Sequence, residues 1–348
     1  MDLLNVTSEP FSDNSVEDYQ FHTYQPYIPG NLNYNDEIKI PIQDLNTFTA
    51  SYGSGEHPIS TKNNGIAFLF RELRYELNGI VVDSVRNVGL VSTIKNYLSY
   101  NENESVLLQN AVGASGNFNV CIPLKLLMGF FEDFRKVIIN MKQELVLIRS
   151  SNDNDAIISL DDTEIPKLIY RNCIGKYHTI QEQLRLNKTI NKNKLELIEY
   201  PSLSSTTRHT WPDKTTTKVE TPRHVIVAFQ KDRKNRITTD IYPYNDLFID
   251  FKNNKYATLF EMYANFQESY YSNKSNQPIF NPTDFKLHAP LAHIDCSRQK
   301  ETLQTGSTVM RIEFETERPT SANTTAYCLI LHERHFTYNP LTKIVKEY

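Results

Sequence analysis

The 348-residue chain carries 37 Lys and Arg against 41 Asp and Glu, a formal net charge of −4, which excludes a protein whose main business is coating nucleic acid, because phosphate neutralisation needs a concentrated cationic excess. The length exceeds one β-sandwich and suits two domains of roughly 150 residues, each able to bury its own core, while 20 Tyr and 18 Phe against one Trp favour pleated, half-buried surfaces. No apolar run approaches the ~20 residues that cross a bilayer as a helix, and the opening MDLLNVTSEP lacks the basic and apolar regions of a secretory signal, so synthesis in the cytosol is expected.

Residues 1–34 are acidic, rich in Asn, Ser and Tyr and poor in branched aliphatics, and read as an extended N-terminal arm that cannot fold alone. A first β-domain over 35–195 opens at Glu37–Gln43, where Ile38, Ile40 and Ile42 share a face. Ala67–Leu77 reads as a strand with Leu69, Leu73, Tyr75 and Leu77 on one side, Asn78-Gly79 as the type I′ turn of a hairpin, and Ile80–Asp83 as the return strand. Ser92–Tyr100 fits a short helix or a strand. Phe118, Val120 and Ile122 alternate with Asn119 and Cys121 until Pro123 stops the ladder. Leu127, Phe130, Phe131, Phe134, Val137 and Ile138 then fall on one helical stripe, predicting a helix near 124–141 with Phe130 and Phe134 in the core. The period returns to two at Leu145–Arg149. Asn152–Asp162 reads as a polar acidic loop, Lys167–Tyr170 as a strand, and Ile180–Asn191 as a polar helix bridging two domains.

The second β-domain, 196–348, begins with a strand around Leu195–Tyr200 and continues at Arg223–Gln230, where Val225, Val227 and Phe229 alternate with Ile226 and Ala228, so that both faces ask for burial. The basic stretch Lys231–Arg236 reads as an exposed turn. Leu247, Ile249 and Phe251 suggest a short strand running into a helix near 254–270, with Tyr256, Leu259, Phe260, Tyr263, Phe266 and Tyr270 on its stripe. Val309–Glu315 alternates, with Met310, Ile312 and Phe314 inward and Arg311, Glu313 and Glu315 outward, and Ala326–His332 is a companion strand apolar on both faces. A helix inserted among strands thus recurs about 130 residues after the first, which suggests two similar β-domains in tandem.

Candidates for chemistry do not assemble into a constellation. His293, Asp295 and Cys296 are close in sequence, but neighbouring strand residues point to alternate faces and cannot form a nucleophile–base pair unaided. His209, His224, His332 and His335 lack metal-ligand spacing, and Cys121, Cys173, Cys296 and Cys328 are scattered with no CxxC, as buried reduced thiols would be. Asp161, Asp162 and Glu164 fit a solvated acidic turn better than a cation site. There is no GxGxxG or GxxxxGK loop. No catalytic, cofactor-binding or metal residue is assigned, no cofactor is expected, and an enzyme is not.

The series FLFRELRYELNG (68–79), RNVG (86–89), IPLKLLMGFFEDF (122–134), ELVLIRS (144–150), HTW (209–211), PRHVIVAFQKDRKN (222–235), YPYNDLFIDFKNNKYATLFEMYANFQESYY (242–271), IDCSRQKETL (294–303) and NTTAYCLILHER (323–334) resembles proteins encoded by viruses and virus-derived elements of invertebrate genomes. Their layout is similar to the double-jelly-roll major capsid proteins of the adenovirus-like, Maverick/Polinton-like lineage. The resemblance implies an all-β fold of two tandem eight-stranded jelly rolls with short inserted helices. It further implies a homotrimer, pseudo-hexameric because each copy brings two jelly rolls, tiling the icosahedral shell of a DNA virus. The implied location is the virion, after synthesis in the host cytosol. Implied partners are neighbouring capsomers and penton and minor capsid proteins, with an internal membrane if the virion is internally enveloped and none if it is non-enveloped, and with no sequence-specific nucleic-acid binding. A tandem β-sandwich that binds glycan or a receptor, as a lectin or spike does, fits the same strand pattern.

Overall fold

The structure, a computed structural model, describes residues 16–24, 26–27, 33–42, 47–53, 59–61, 64–101, 117–134, 138, 140–153, 155–159, 169–180, 188–200, 203–214, 221–231, 249–272, 278–297, 309–321 and 324–347. The chain forms two compact units interleaved in sequence. The first takes Pro10–Asn96, Val106–Leu195 and Arg334–Tyr348, and the second is built chiefly from Tyr97–Ser105 and Glu196–Glu333.

As far as Ile180 the elements are β1 (Val16–Tyr24), β2 (Glu37–Ile42), β3 (Thr47–Gly53), β4 (Ile59–Thr61), α1 (Gly65–Phe68), β5 (Phe70–Leu77), β6 (Ile80–Arg86), α2 (Val88–Ser99), β7 (Asn117–Pro123), a 3-10 turn (Leu124–Leu126), α3 (Gly129–Asp133), β8 (Gln143–Arg149), β9 (Ile157–Ser159) and β10 (Ile169–Ile180). The strands make two four-stranded antiparallel sheets, ordered β1-β10-β3-β7 and β2-β8-β5-β6, with β4 and β9 as a separate pair. Two such sheets are the make-up expected of one jelly roll.

The second of these sheets shows why the pattern folds this way. Ile38 and Ile40 are buried between exposed Glu37 and Lys39, and Leu73, Tyr75 and Leu77 are buried on β5. Every residue of β8 is buried. Its Leu147 lies between Ile38 and Leu73 and its Leu145 between Ile40 and Tyr75, so an apolar row crosses three strands. Asn78 and Gly79 have φ of 50° and 79° and close the β5–β6 hairpin, as their pairing predicts. A Cβ at Gly79 would meet nothing within 4 Å. The Gly79→Ala variant should therefore lose only the backbone cost of positive φ, about 1 kcal/mol, read as a small shift of the denaturant midpoint at unchanged slope.

Three expectations are corrected in this part of the chain. First, Val16–Tyr24, placed in the arm, is a strand that adds to the edge of the chain's own sheet through β10. Backbone pairing needs a free edge and not an apolar pattern, which is why composition missed it. Second, among the described residues the helix predicted over 124–141 is a 3-10 turn followed by the five residues of α3. Met128 is extended (φ −139°, ψ 137°) and Phe134 leaves the helix at φ −109°, ψ 102°. The Asp83 carboxylate on β6 accepts the Phe130 N–H at 2.8 Å and fixes where α3 begins. Phe130 is buried but Phe134 only half-buried. Third, Lys188–Asn191, expected to be helical, opens a strand.

Two further features hold α3. α2 resolves the ambiguous Ser92–Tyr100 stretch as helix and buries Val88, Val91, Ile94 and Leu98 together with Lys95, whose ammonium pairs with Glu132 of α3. The stretch Arg334–Tyr348 returns to this unit: Phe336 stacks on Phe130 with centroids 5.8 Å apart, and the Asn78 and Asn140 side chains donate to the carbonyls of Lys343 and Pro340 at 2.9 and 2.6 Å.

The remaining elements are β11 (Lys188–Tyr200), β12 (Arg208–Lys214), β13 (Thr221–Lys231), α4 (Ala257–Ala264), α5 (Phe266–Tyr271), α6 (Pro282–His288), β14 (Ala292–Asp295), β15 (Val309–Glu315), β16 (Thr324–Asn339) and β17 (Ile344–Glu347). One sheet runs β11-β16-β13-β14, with β17 on β16, and β12 pairs with β15. In the second unit Val225, Val227, Phe229, Ala326, Cys328 and Ile330 of the large sheet pack against Trp211, Ile312 and Phe314 of the β12–β15 pair. Exposed Arg311, Glu313 and Glu315 alternate with this buried row, as the period-two reading requires. Residues 249–251 form no ladder, contrary to the strand read at Leu247–Phe251; among the described residues Asp250 makes only an isolated bridge to Lys255. The Lys231–Arg236 turn lies almost wholly outside the described residues, as do Asp161, Asp162 and Glu164. Among the described residues no helix is long and apolar enough to cross a membrane.

Candidate functional site

The antiparallel register of β13 and β14 sets His224 opposite Asp295 and Ile226 opposite His293. Alternation then sorts β14: Ala292, Ile294 and Cys296 pack against the inter-sheet core, and His293 and Asp295 face the other way. His293 and Cys296 therefore sit on opposite faces of the strand. Register instead brings together two histidines 69 positions apart. The His224 Nδ1 and His293 Nε2 atoms are 3.1 Å apart, with the rings stacked at 5.3 Å, and His293 Nδ1 lies 3.1 Å from the Met262 carbonyl of α4.

A carbonyl only accepts, so His293 carries its proton on Nδ1, leaving Nε2 as acceptor and His224 Nδ1–H as donor. The chain of bonds fixes both tautomers. Met262 sits in the last turn of α4, where carbonyls lack helical partners, and His293 ties that turn to the sheet.

Both imidazoles are buried, at 4 % and 3 % exposure. The Phe266 and Tyr270 rings stand steeply inclined to the His224 ring, with centroids 5.8 and 5.3 Å away, and Phe266 also meets His293 at 4.9 Å. Burial, followed by the charge of His293 and aided by Arg223, holds His224 down at about 4 against the pull of Asp295. Burial likewise lowers His293, opposed by the Met262 carbonyl and Asp295. Burial pushes Asp295 up, but hydrogen bonding from Ser297 and the charge of the two histidines outweigh it and leave the carboxyl below its usual range.

α4 and α5 are themselves anchored by polar groups within the second unit. The Tyr263 hydroxyl donates to the Tyr97 carbonyl at 3.0 Å and accepts the Phe280 N–H at 3.2 Å, and burial raises its phenol. Gln267 Nε2 donates to the Tyr100 carbonyl at 2.9 Å. α6 was missed in the sequence although its signal is present: the Asn281 side chain accepts the N–H groups of Thr283 and Asp284, both at 2.9 Å, with Pro282 at the first helical position.

The other candidates stay apart from this cluster. His209 Nε2 is 3.0 Å from the Thr206 carbonyl and its ring stacks on Phe314 at 4.8 Å. His332 is buried with Nε2 3.1 Å from Glu196, His335 is exposed, and Cys328 is a buried thiol of the core. Cys121 and Cys173 lie on β7 and β10, with side chains outside the described residues. Among the described residues no three His, Cys, Asp or Glu side chains gather as metal ligands would. The histidine pair can hold or pass a proton, and it joins a helical cover to a sheet.

Comparison with known proteins bears on the whole chain. The profile of the double jelly roll-like domain matches residues 59–241 and 238–336. No curated protein sequence matches. Among solved structures, a chain of the Sputnik virophage is similar over 100 % of this chain and 92 % of its own, with a TM-score of 0.56 at 7 % identity. VP54 of PBCV-1 is similar over 95 % and 96 %, with a TM-score of 0.55 at 8 % identity. The mavirus major capsid protein is similar over 94 % and 90 %, with a TM-score of 0.52 at 9 % identity. At such identities the likeness is one of fold, all-β and built from two jelly rolls, and it agrees with the profile: the chain belongs to the double jelly roll-like domain family.

Proposed function

We propose that the protein is a major capsid protein whose copies associate as pseudo-hexameric homotrimers and tile an icosahedral virion of a DNA virus of the adenovirus-like, Maverick/Polinton-like lineage. The observation that carries this reading is the two-unit double-jelly-roll fold, shared over nearly the whole chain with the mavirus major capsid protein and VP54. Those relatives also support a structural role and not a catalytic one. In this reading residues 1–34 are an arm that contributes β1, the two jelly rolls expected over 35–195 and 196–348 exchange the stretch Arg334–Tyr348, which completes the first, and the partners are neighbouring capsomers, penton and minor capsid proteins and, where the virion is internally enveloped, its membrane. Each trimer is a heterologous ring in which the first jelly roll of one copy meets the second of the next, so closure limits the oligomer.

A net charge of −4 gives little opposite-charge attraction between identical copies. Apolar and hydrogen-bonded contacts then dominate the interface. Light scattering after size exclusion should find a trimer of roughly 121 kDa, three times 40.4 kDa, at low ionic strength. The same mass should persist near 1 M salt, where the Debye length is about 3 Å. Negative-stain images of the product should show near-hexagonal particles. A monomer at both ionic strengths that binds specifically on a glycan array would replace this reading with the lectin-like one.

A further inference from the structure

The His224–His293 pair occupies the seam between the β13–β14 edge of the sheet and the helical cover of α4 and α5, and its bonding leaves no room for another proton on the shared line. His224 Nδ1–H already points at His293 Nε2 across 3.1 Å, and His293 Nδ1–H is spent on the Met262 carbonyl. A proton added to His293 Nε2 would set two donors against each other. A proton added to the far nitrogen of His224 would place a cation in a site only 4 % exposed and packed against the Phe266 and Tyr270 rings, where its lost hydration is costly.

We infer that this pair is an acid-sensitive latch: neutral, it fastens the last turn of α4 to β14, and protonated, it releases α4 and α5 from the sheet.

The charged and titratable groups around the pair do not cancel this effect. On β14, Asp295 Oδ1 is 3.8 Å from His224 Nδ1, but it is turned toward Ser297 N–H and partly solvated. On β13, Arg223 adds like charge beside His224, and its guanidinium binds Glu333 of β16 and the Ser297 carbonyl. On the helices, Glu261 and Glu268 are exposed, Tyr270 is half-buried and Tyr263 is committed to Tyr97 and Phe280. The linkage sign follows from both histidines titrating lower in the folded state than when opened. The opened state takes up protons first, so the latch is at full strength above the free imidazole value near 6.5 and weakens as pH falls toward about 4.

Hydrogen exchange of the full chain at pH 7 and pH 4.5, corrected for intrinsic rates, tests the latch. Peptides across Ala257–Tyr271 should lose protection ten-fold or more on acidification, while peptides of β12 and β15 keep theirs. In the double variant His224→Phe, His293→Asn, which retains a donor for the Met262 carbonyl but no titrating group, the loss should shrink below two-fold. A wild-type loss below two-fold, or a double variant as acid-sensitive as the wild type, overturns the inference. Long-range nitrogen–proton NMR on the wild type gives an independent reading that needs no variant. Both rings should be Nδ1–H tautomers at pH 7.5, and an Nε2–H tautomer at either would break the bond chain on which the latch depends.

Discussion

Replacing Phe130 with Ala should destabilise the first unit by about 3–5 kcal/mol, the range for removing a large aromatic from a packed core. Phe130 is 1 % exposed and is enclosed by the rings of Tyr75 at 4.8 Å, Phe131 at 5.3 Å, Phe134 at 5.6 Å and Phe336 at 5.8 Å. These neighbours come from β5, α3, the chain after α3, and β16. The cavity therefore cannot close without moving several elements at once. For a unit of this size the midpoint of thermal unfolding should fall by roughly 6–20 °C. The half-buried Phe134 gives the control: its Ala variant should cost roughly half as much or less, and equal losses at the two positions would contradict the packing described above.

Removing the carboxylate of Glu132 should be comparably damaging for an electrostatic reason. The Lys95 side chain is 2 % exposed and Glu132 10 %, so the Glu132→Ala variant leaves a buried ammonium without its ion-pair partner. Losses of about 3–5 kcal/mol are typical when one member of such a pair is deleted. Replacing both members by apolar residues of similar volume, Lys95→Met with Glu132→Leu, should recover most of the loss, because the pair's own attraction is largely offset by the cost of taking two charges out of water. Chemical denaturation of the two single variants and the double variant measures this as a coupling energy. Additive losses would mean that the pair contributes nothing as a pair.

Strand periodicity and turn chemistry are properties of neighbouring residues, and these were legible in the sequence. The alternation of Val309–Glu315, the two buried faces of β13 and β16, and the Asn78-Gly79 turn all follow from local pattern. What was not legible depends on contacts distant in sequence. The stripe from Leu127 to Ile138 satisfies a helical template, yet α3 is cut to five residues because Asp83 caps it from β6 and Phe134 reaches the aromatic cluster from extended backbone. Lys188–Asn191 has polar helical composition but pairs as a strand, a choice made by the sheet and not by propensity. The histidine pair needed the β13–β14 register to be seen. Its only sequence signal is that His224 and His293 each interrupt an apolar alternation, His224 just before Val225–Phe229 and His293 between Ala292 and Ile294.

The interleaving of the two units also bears on the order in which the protein can mature during synthesis. Domains commonly fold one after another as the nascent chain emerges. Here the first unit has released most of its strands once Leu195 has been made, but Phe336, which stacks on Phe130, and the carbonyls of Pro340 and Lys343, which receive Asn140 and Asn78, lie beyond the whole stretch Glu196–Glu333. At ~5–20 residues per second that stretch takes on the order of ten seconds to translate. For that interval the first unit lacks the Phe336 ring on Phe130 and the two carbonyls that receive Asn78 and Asn140, and it becomes complete only after the second has been translated.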